Sequence, residues 1–231
     1  MTFEILLSGL FLMAVCAMLV TLFLRAFYHK KFKKALLFKG LASLCFVALG
    51  AINLLTNTFS YINLIIFIGL CWGIVGDEII ALCQIFPKYD THHFLGGGAC
   101  FIVGHVLYMI ALLLLGGRIN ITAVAIAFAL IVILCVVYEN RRKFLVERMK
   151  NSLKLYIGVV TLVTSIGIAV FLARGTFGTA LFALGGALFT VSDNILFAFK
   201  FGARPRYRQN VALHVAYYLA QFVIAWSIAF I

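Results

Sequence analysis

Long apolar stretches follow one another along this chain, with short polar loops between them, and this pattern restricts the protein to a membrane. There are eight of them, at about residues 4–24, 36–55, 62–85, 94–116, 119–138, 153–173, 176–199 and 211–231. About 20 consecutive apolar residues are enough for a helix to cross the hydrocarbon core of a bilayer. Because 65% of the residues are hydrophobic, a soluble domain could not bury so much apolar surface. We therefore predict an all-α protein, with residues 1–231 forming a single integral membrane domain of eight transmembrane helices.

The basic residues predict the orientation of this bundle. Fifteen of them lie in one set of alternate loops, at 25–34, 86–93, 139–152 and 200–210. The other set holds only Arg118 and Arg174. Since cytoplasmic loops carry an excess of Lys and Arg, we expect the basic loops in the cytoplasm and both termini outside, with the bacterial cytoplasmic membrane favoured. This topology, together with contact to anionic lipid, accounts for the net charge of +12, so no nucleic-acid partner is expected.

Metal, cofactor and nucleophile motifs are weak or missing in the sequence. All six cysteines lie in apolar stretches without a CxxC pair, as expected for reduced cysteines that act as small hydrophobes. Asp90, His92 and His93 share a predicted loop, but a fourth ligand is lacking. Patterns of the GxSxG, HExxH and P-loop types do not occur. We predict no metal and no cofactor.

Three of the seven acidic residues lie inside apolar stretches, namely Asp77, Glu78 and Asp193. A carboxylate at membrane depth costs roughly 2.5 to 3.5 kcal/mol on insertion scales, which makes it a functional-site candidate. At 1.5 Å per residue, Asp77 would lie about 12 Å and Asp193 about 9 Å from the cytoplasmic ends of their helices. Glu78 is turned about 100° from Asp77 around the helix, and we expect it to pair with a basic group.

Matching features in the two halves of the chain indicate an internal repeat. The motif His-Val-x-Tyr occurs at His105 and again at His214, and each half carries one intramembrane aspartate. Lys39 opens the second stretch and Lys154 opens the sixth. Four helices per half would make the repeats parallel, with halves 1–116 and 117–231. The two aspartates would then face one central cavity.

Other polar residues are predicted to bind substrate or to support the two aspartates. They are Lys39, His105, Tyr108, Ser192, Asn194, Tyr217, Tyr218 and Gln221. For these residues a structural role is a serious alternative, because a histidine in a membrane helix is commonly an interhelical hydrogen-bond partner and tyrosine rings pack well against other helices. The aspartates themselves could serve as polar contacts between helices.

Four runs of residues resemble the signature blocks of the YhhN-like lysoplasmalogenase family. They are Gly76-Asp77-Glu78-Ile79-Ile80, Gly104-His105-Val106-Leu107-Tyr108, the segment from Gly186 to Asp193, and Tyr217-Tyr218-Leu219-Ala220-Gln221. The resemblance covers nearly the whole chain and implies an enzyme that hydrolyses the vinyl ether bond of lysoplasmalogens to a fatty aldehyde and a glycerophospho-base. It also implies a role for Lys39, although the Lys-Pro pair often found there is Lys39-Gly40 in this chain.

Two carboxyl groups suit this chemistry. One would protonate the vinyl ether carbon, and the other would stabilise the resulting cation and deprotonate water, which leads us to predict Asp77 and Asp193 as the catalytic pair. Low dielectric and mutual repulsion favour one neutral and one ionised member, and the sequence leaves open which is which, as it does the headgroup, the chain length and the oligomeric state. The expected partners are a lysophospholipid substrate and membrane lipid. The alternatives are a proton- or cation-coupled transporter and a non-catalytic lipid-binding membrane protein.

Overall fold

The computed structural model describes residues 3–116, 119–142, 150–202 and 206–231, and these residues form eight α-helices without a strand. The helices are α1 (Phe3–Tyr28), α2 (Phe32–Thr56), α3 (Tyr61–Ile85), α4 (Asp90–Leu115), α5 (Ile121–Arg142), α6 (Lys150–Arg174), α7 (Phe177–Phe201) and α8 (Tyr207–Ser227). Helices are expected because the bilayer core offers no water to backbone N–H and C=O groups, which must bond within their own segment. The predicted all-α fold with eight helices is confirmed.

Six of these helices, α1 to α4, α6 and α7, are long and apolar enough to cross a membrane. The apolar part of α5 is shorter, Ile121–Val137. That α5 and α8 also cross the bilayer stays a prediction.

Most helices extend beyond the apolar stretches into segments predicted as loops. The clearest case is the start of α4, where a single 3₁₀ turn, Pro87–Tyr89, leads directly into the helix at Asp90. The predicted loop at Asp90, His92 and His93 was therefore wrong, since all three belong to the beginning of α4. An aspartate in the first turn of a helix is favoured by the helix dipole, which a search for apolar runs does not detect.

The connection between α6 and α7 has clear stop and start signals. Gly175 follows the last residue of α6 with a φ of 62°, the left-handed conformation that glycine adopts without strain after a helix. The next residue, Thr176, caps α7 by accepting a hydrogen bond from the backbone N–H of Thr179 at 3.4 Å.

Two compact units divide the chain, Met1–Tyr108 and Met109–Ile231. In unit 1, α1 packs on α2 and α2 packs on α3, around fully buried side chains such as Phe46 and Leu70. In unit 2, α7 packs against α5, α6 and α8, around Phe182 and Phe189. The predicted four-plus-four repeat stays a prediction.

Four of the basic residues that were counted to predict the orientation are not described by the structure. Arg118, Lys143, Arg148 and Arg204 lie outside the described residues. The predicted sidedness of the loops stays a prediction as well.

Candidate functional site

In unit 1 the buried carboxylate of Asp77 on α3 is held by two side chains of α2. Lys39 forms an ion pair with it, with Nζ 2.9 Å from Oδ1, and also donates to the backbone carbonyl of Asp77 at 3.1 Å. Ser43 donates its hydroxyl to Oδ2 at 2.7 Å. Lys39 and Ser43 are four residues apart and hence neighbours on one face of α2. Both carboxylate oxygens of Asp77 are thus engaged, and only 3% of the residue is exposed.

Glycines bring α4 close to α3 beside this carboxylate. A Cβ atom on Gly76 would lie 2.9 Å from the ring of Phe101 and 3.1 Å from the carbonyl oxygen of Gly97. Small residues allow such close approach between membrane helices. Gly76 therefore allows α4 to pack closely on α3.

Glu78, the neighbour of Asp77, was expected to pair with a basic group, and the charge of Lys39 does act on its carboxyl. Its Oε1 atom is buried without a hydrogen-bond partner among the residues that the structure describes. The carboxyl lies over Gly40, where a Cβ atom would be 2.9 Å from Oε1. A larger residue at Gly40 would meet only the end of the flexible Glu78 side chain, which can move aside.

His105 and Tyr108 belong to α4 in the same unit but lie nearer to Gly69. The ring of Tyr108 packs directly on Gly69, eight residues or about 12 Å along α3 from Asp77. The His105 ring meets that of Tyr108 edge to face, with centroids 5.8 Å apart, and its Nδ1 lies 2.8 Å from the carbonyl oxygen of Phe101. Through these contacts both residues contribute to the packing of α4 on α3.

In unit 2 the carboxyl group of Asp193 on α7 meets a tyrosine of α6. The hydroxyl of Tyr156 donates to Oδ2 at 2.9 Å, and both residues are buried. The Tyr156 ring in turn packs edge to face on Phe197, with centroids 5.7 Å apart. Asp193 lies eight residues before the end of α7, just as Asp77 lies eight residues before the end of α3.

The three consecutive residues Ser192, Asp193 and Asn194 point to three different helices. Ser192 donates to the carbonyl oxygen of Leu213 on α8 at 3.0 Å, while Asp193 meets α6. Asn194 donates to the sulfur atom of Cys135 on α5 at 3.2 Å. Since successive side chains in a helix are turned by about 100°, the Ser-Asp-Asn run connects α7 to every helix that packs on it. The supporting roles predicted for Ser192 and Asn194 stay predictions, and the contacts of both residues join α7 to other helices.

The remaining predicted site residues, Tyr217, Tyr218 and Gln221, lie on α8 together with His214 of the repeated motif, and all four are buried. The Nδ1 atom of His214 lies 2.7 Å from the carbonyl oxygen of Asn210. Gln221 donates to the hydroxyl of Tyr217 at 3.0 Å, and the Tyr217 ring meets that of Tyr218 with centroids 5.1 Å apart. In Gln221 the Oε1 atom is buried without a hydrogen-bond partner among the described residues.

Sequence reasoning missed two residues that touch the aspartates, Ser43 and Tyr156. Ser43 has a signal, because it lies one turn after Lys39 on the same face of α2. For the second half, the predicted repeat made Lys154 the counterpart of Lys39, but this residue is exposed. Tyr156, two residues further on and turned by about 200°, is the one that faces α7.

The two carboxyl groups therefore have different surroundings, each within its own unit. Asp77 meets an ammonium and a hydroxyl, whereas Asp193 meets a phenol. Among the residues that the structure describes, no three His, Cys, Asp or Glu side chains are grouped so that they could hold a metal ion. The groups at hand are carboxyl, hydroxyl and amine, which can bind and transfer protons.

Comparison with known proteins gives one match. A family model described as the YhhN family matches residues 34–228, which include both aspartates and the side chains of Lys39, Ser43 and Tyr156 that bind them. Neither curated proteins nor solved structures yielded a match.

Proposed function

The chain belongs to the YhhN family, which includes lysoplasmalogenases, and from this membership and its buried aspartates we propose an intramembrane hydrolase of lysoplasmalogens. Its reaction cleaves the vinyl ether bond and yields a fatty aldehyde and a glycerophospho-base. The observation that carries the proposal is the pair of buried aspartates, Asp77 and Asp193, each bound to polar side chains of a neighbouring helix. Intramembrane carboxyls held in this way are typical of functional sites.

The proposed chemistry is acid–base catalysis by these two carboxyls. One donates its proton to the alkenyl carbon beta to the ether oxygen, which leaves an oxocarbenium ion. Water adds to this cation and passes a proton to the other, ionised carboxyl, so that a hemiacetal forms. The hemiacetal hydroxyl then returns its proton to the first carboxyl while the second protonates the departing glycerol oxygen. Aldehyde and alcohol leave, and both carboxyls regain their starting states.

A membrane site suits this substrate because the vinyl ether bond lies beside the headgroup, at the top of the alkenyl chain. We propose that the protein is oriented with its basic loops in the cytoplasm and both termini outside. The reactive bond would then meet carboxyls about 12 Å from the cytoplasmic ends of α3 and α7, since each aspartate is eight residues from its helix end.

The proposal is tested with the purified protein in lipid nanodiscs. Incubation with a lysoplasmalogen should release a long-chain aldehyde, detected as its hydrazone by mass spectrometry. A saturated 1-alkyl lysophospholipid of the same chain length is the matched control and should stay intact, because an alkyl ether has no double bond to protonate. Release of free fatty acid from a 1-acyl lysophospholipid, with no aldehyde from the vinyl ether, would contradict the proposal.

The transporter alternative makes an opposite prediction. A proton-coupled carrier should acidify or alkalinise the lumen of proteoliposomes when a gradient of the transported solute is applied. It should leave the lysoplasmalogen unchanged. Aldehyde release without proton flux therefore supports the hydrolase.

A further inference from the structure

We propose that Lys39 is a positioning residue that keeps Asp77 as the ionised member of the carboxyl pair, rather than a ligand for the substrate phosphate. In the reaction above, Asp77 is then the group that stabilises the cation and accepts the proton of water. The role of Asp77 in the reaction rests on the proposed function. The ionised state of its carboxyl rests on the contacts within unit 1.

The hydrogen bonds around Asp77 match a carboxylate. An ammonium only donates, and Nζ of Lys39 lies 2.9 Å from Oδ1, so a proton on Oδ1 would face another donor. On the other side, the Ser43 hydroxyl donates to Oδ2 at 2.7 Å. Both oxygens therefore act as acceptors, and charge-assisted hydrogen bonds of this length stabilise the ionised form.

Burial makes Lys39 and Asp77 depend on each other. Lys39 is 7% exposed and Asp77 is 3% exposed, and a buried charge without a partner is strongly destabilising. If the ammonium is removed, the carboxyl of Asp77 is expected to take up a proton rather than stay charged. The lysine thus controls the charge of the aspartate from the neighbouring helix.

The same contacts argue against a phosphate-binding role. Nζ of Lys39 contacts Asp77 twice, at Oδ1 and at the backbone carbonyl oxygen. Two of the three N–H donors of the ammonium are thus used on Asp77, and only 7% of Lys39 is exposed, so Nζ could move out to a phosphate only by leaving the buried carboxylate. Substrate binding would then leave Asp77 uncompensated at the moment when it must act as a base.

An assignment for the second carboxyl follows from proton balance. If Asp77 starts ionised and accepts the proton of water, the proton for the alkenyl carbon must come from another group. Of the two predicted catalytic residues this is Asp193, which therefore starts protonated. After hemiacetal collapse Asp193 has regained its proton and Asp77 is again ionised.

The charge of Asp77 can be measured without turnover by infrared spectroscopy. The spectrum of the wild-type protein minus that of Asp77→Asn isolates the Asp77 carboxyl. We expect a carboxylate stretching band and no carbonyl band of a protonated acid. In the Lys39→Met background the same subtraction should instead give a protonated carbonyl band that shifts in D₂O, and Lys39→Arg should restore the carboxylate band. A carbonyl band of a protonated acid in the difference between the wild type and Asp77→Asn would overturn the proposal. This measurement does not require that Lys39→Met folds.

Kinetics and binding separate positioning from phosphate binding. Lys39→Met should lower kcat by about 10²-fold, the usual scale for loss of a general base, with little change in KM. Its affinity for the uncleaved 1-alkyl lysophospholipid should equal that of the wild type. Weaker analogue binding with a normal kcat would overturn the positioning role in favour of phosphate recognition. If no lysoplasmalogen is cleaved but the infrared result holds, the proposed function fails and the control of Asp77 by Lys39 stands.

Discussion

Tyr156 on α6 donates a hydrogen bond of 2.9 Å to Oδ2 of Asp193 on α7, while the corresponding contact in unit 1 is the ion pair of Lys39 with Asp77. A phenol is a neutral donor and can bond to a carboxyl group in either protonation state. An ammonium favours the ionised state alone. The two intramembrane aspartates therefore differ in their partners even though both lie eight residues from the end of their helix.

Removing the phenol hydroxyl tests what the hydrogen bond from Tyr156 to Asp193 contributes to catalysis. In Tyr156→Phe the ring can still pack on Phe197, but Asp193 loses a donor. We expect kcat for vinyl ether hydrolysis to fall by roughly tenfold, less than the about 10²-fold expected for loss of the proton-transferring group itself. The protein should remain folded, as judged by size-exclusion chromatography and thermal unfolding.

Tyr61→Phe is the matched control for this change. Tyr61 is 75% exposed at the start of α3, so loss of its hydroxyl should leave kcat unchanged. If both variants lose activity equally, the loss does not come from the contact with Asp193.

Amide variants of the aspartates separate catalysis from packing. Asp77→Asn and Asp193→Asn keep nearly the same shape but cannot act as a general acid or base. Each should lower turnover by at least about 10²-fold. The double variant should be little worse than the more impaired single variant, because groups that act as a unit are not additive. Asp193→Asn should unfold at nearly the wild-type temperature in detergent, whereas Asp77→Asn should unfold at a lower temperature, because it leaves the buried ammonium of Lys39 without an anion.

Glu78→Gln serves as the control for a carboxyl on the same helix. Glu78 is adjacent to Asp77 in the sequence, but its carboxyl lies over Gly40. We expect a much smaller loss of turnover than for Asp77→Asn. Active, well-folded Asn variants of the aspartates would contradict the catalytic role and favour a polar contact between helices.

The helices could be predicted from the sequence because their signal is local. About 20 apolar residues in a row predict a membrane helix, and charged residues inside such a row stand out. The aspartates were found in this way, and so was Lys39. Helix ends were less predictable: α4 begins at Asp90, within a segment whose polar residues indicated a loop.

The contacts of the aspartates could not be predicted in the same way, because they depend on how one helix is rotated against the next. In the second half, the predicted repeat made Lys154 the counterpart of Lys39, whereas Lys154 is exposed on α6 and Tyr156 contacts Asp193. Ser43 was missed since a serine in an apolar helix is common. Only the packing of α2 on α3 makes it a donor to Asp77.

The orientation of the protein is tested by accessibility of single cysteines in a background without native cysteines. Lys31→Cys lies between α1 and α2, and Thr58→Cys lies between α2 and α3, both at exposed positions. If the basic loops are cytoplasmic, a membrane-impermeant maleimide should label Thr58→Cys in intact cells and Lys31→Cys only after permeabilisation. The reverse pattern would overturn the predicted topology.

The close approach of α3 and α4 beside Asp77 predicts that Gly76 cannot be enlarged. Alanine normally stabilises a helix relative to glycine by about 1 kcal/mol, but in Gly76→Ala the methyl group would lie 2.9 Å from the Phe101 ring and 3.1 Å from the backbone at Gly97. Overpacking of this kind costs about 1 to 3 kcal/mol, so the apparent Tm in detergent should fall. Turnover should fall as well, because α3 also carries Asp77.

In Gly158→Ala, the control on α6, the new methyl group meets no atom within 4 Å, and Tm should stay unchanged or rise. Equal Tm values for Gly76→Ala and the wild type would show that α3 and α4 are not packed through Gly76.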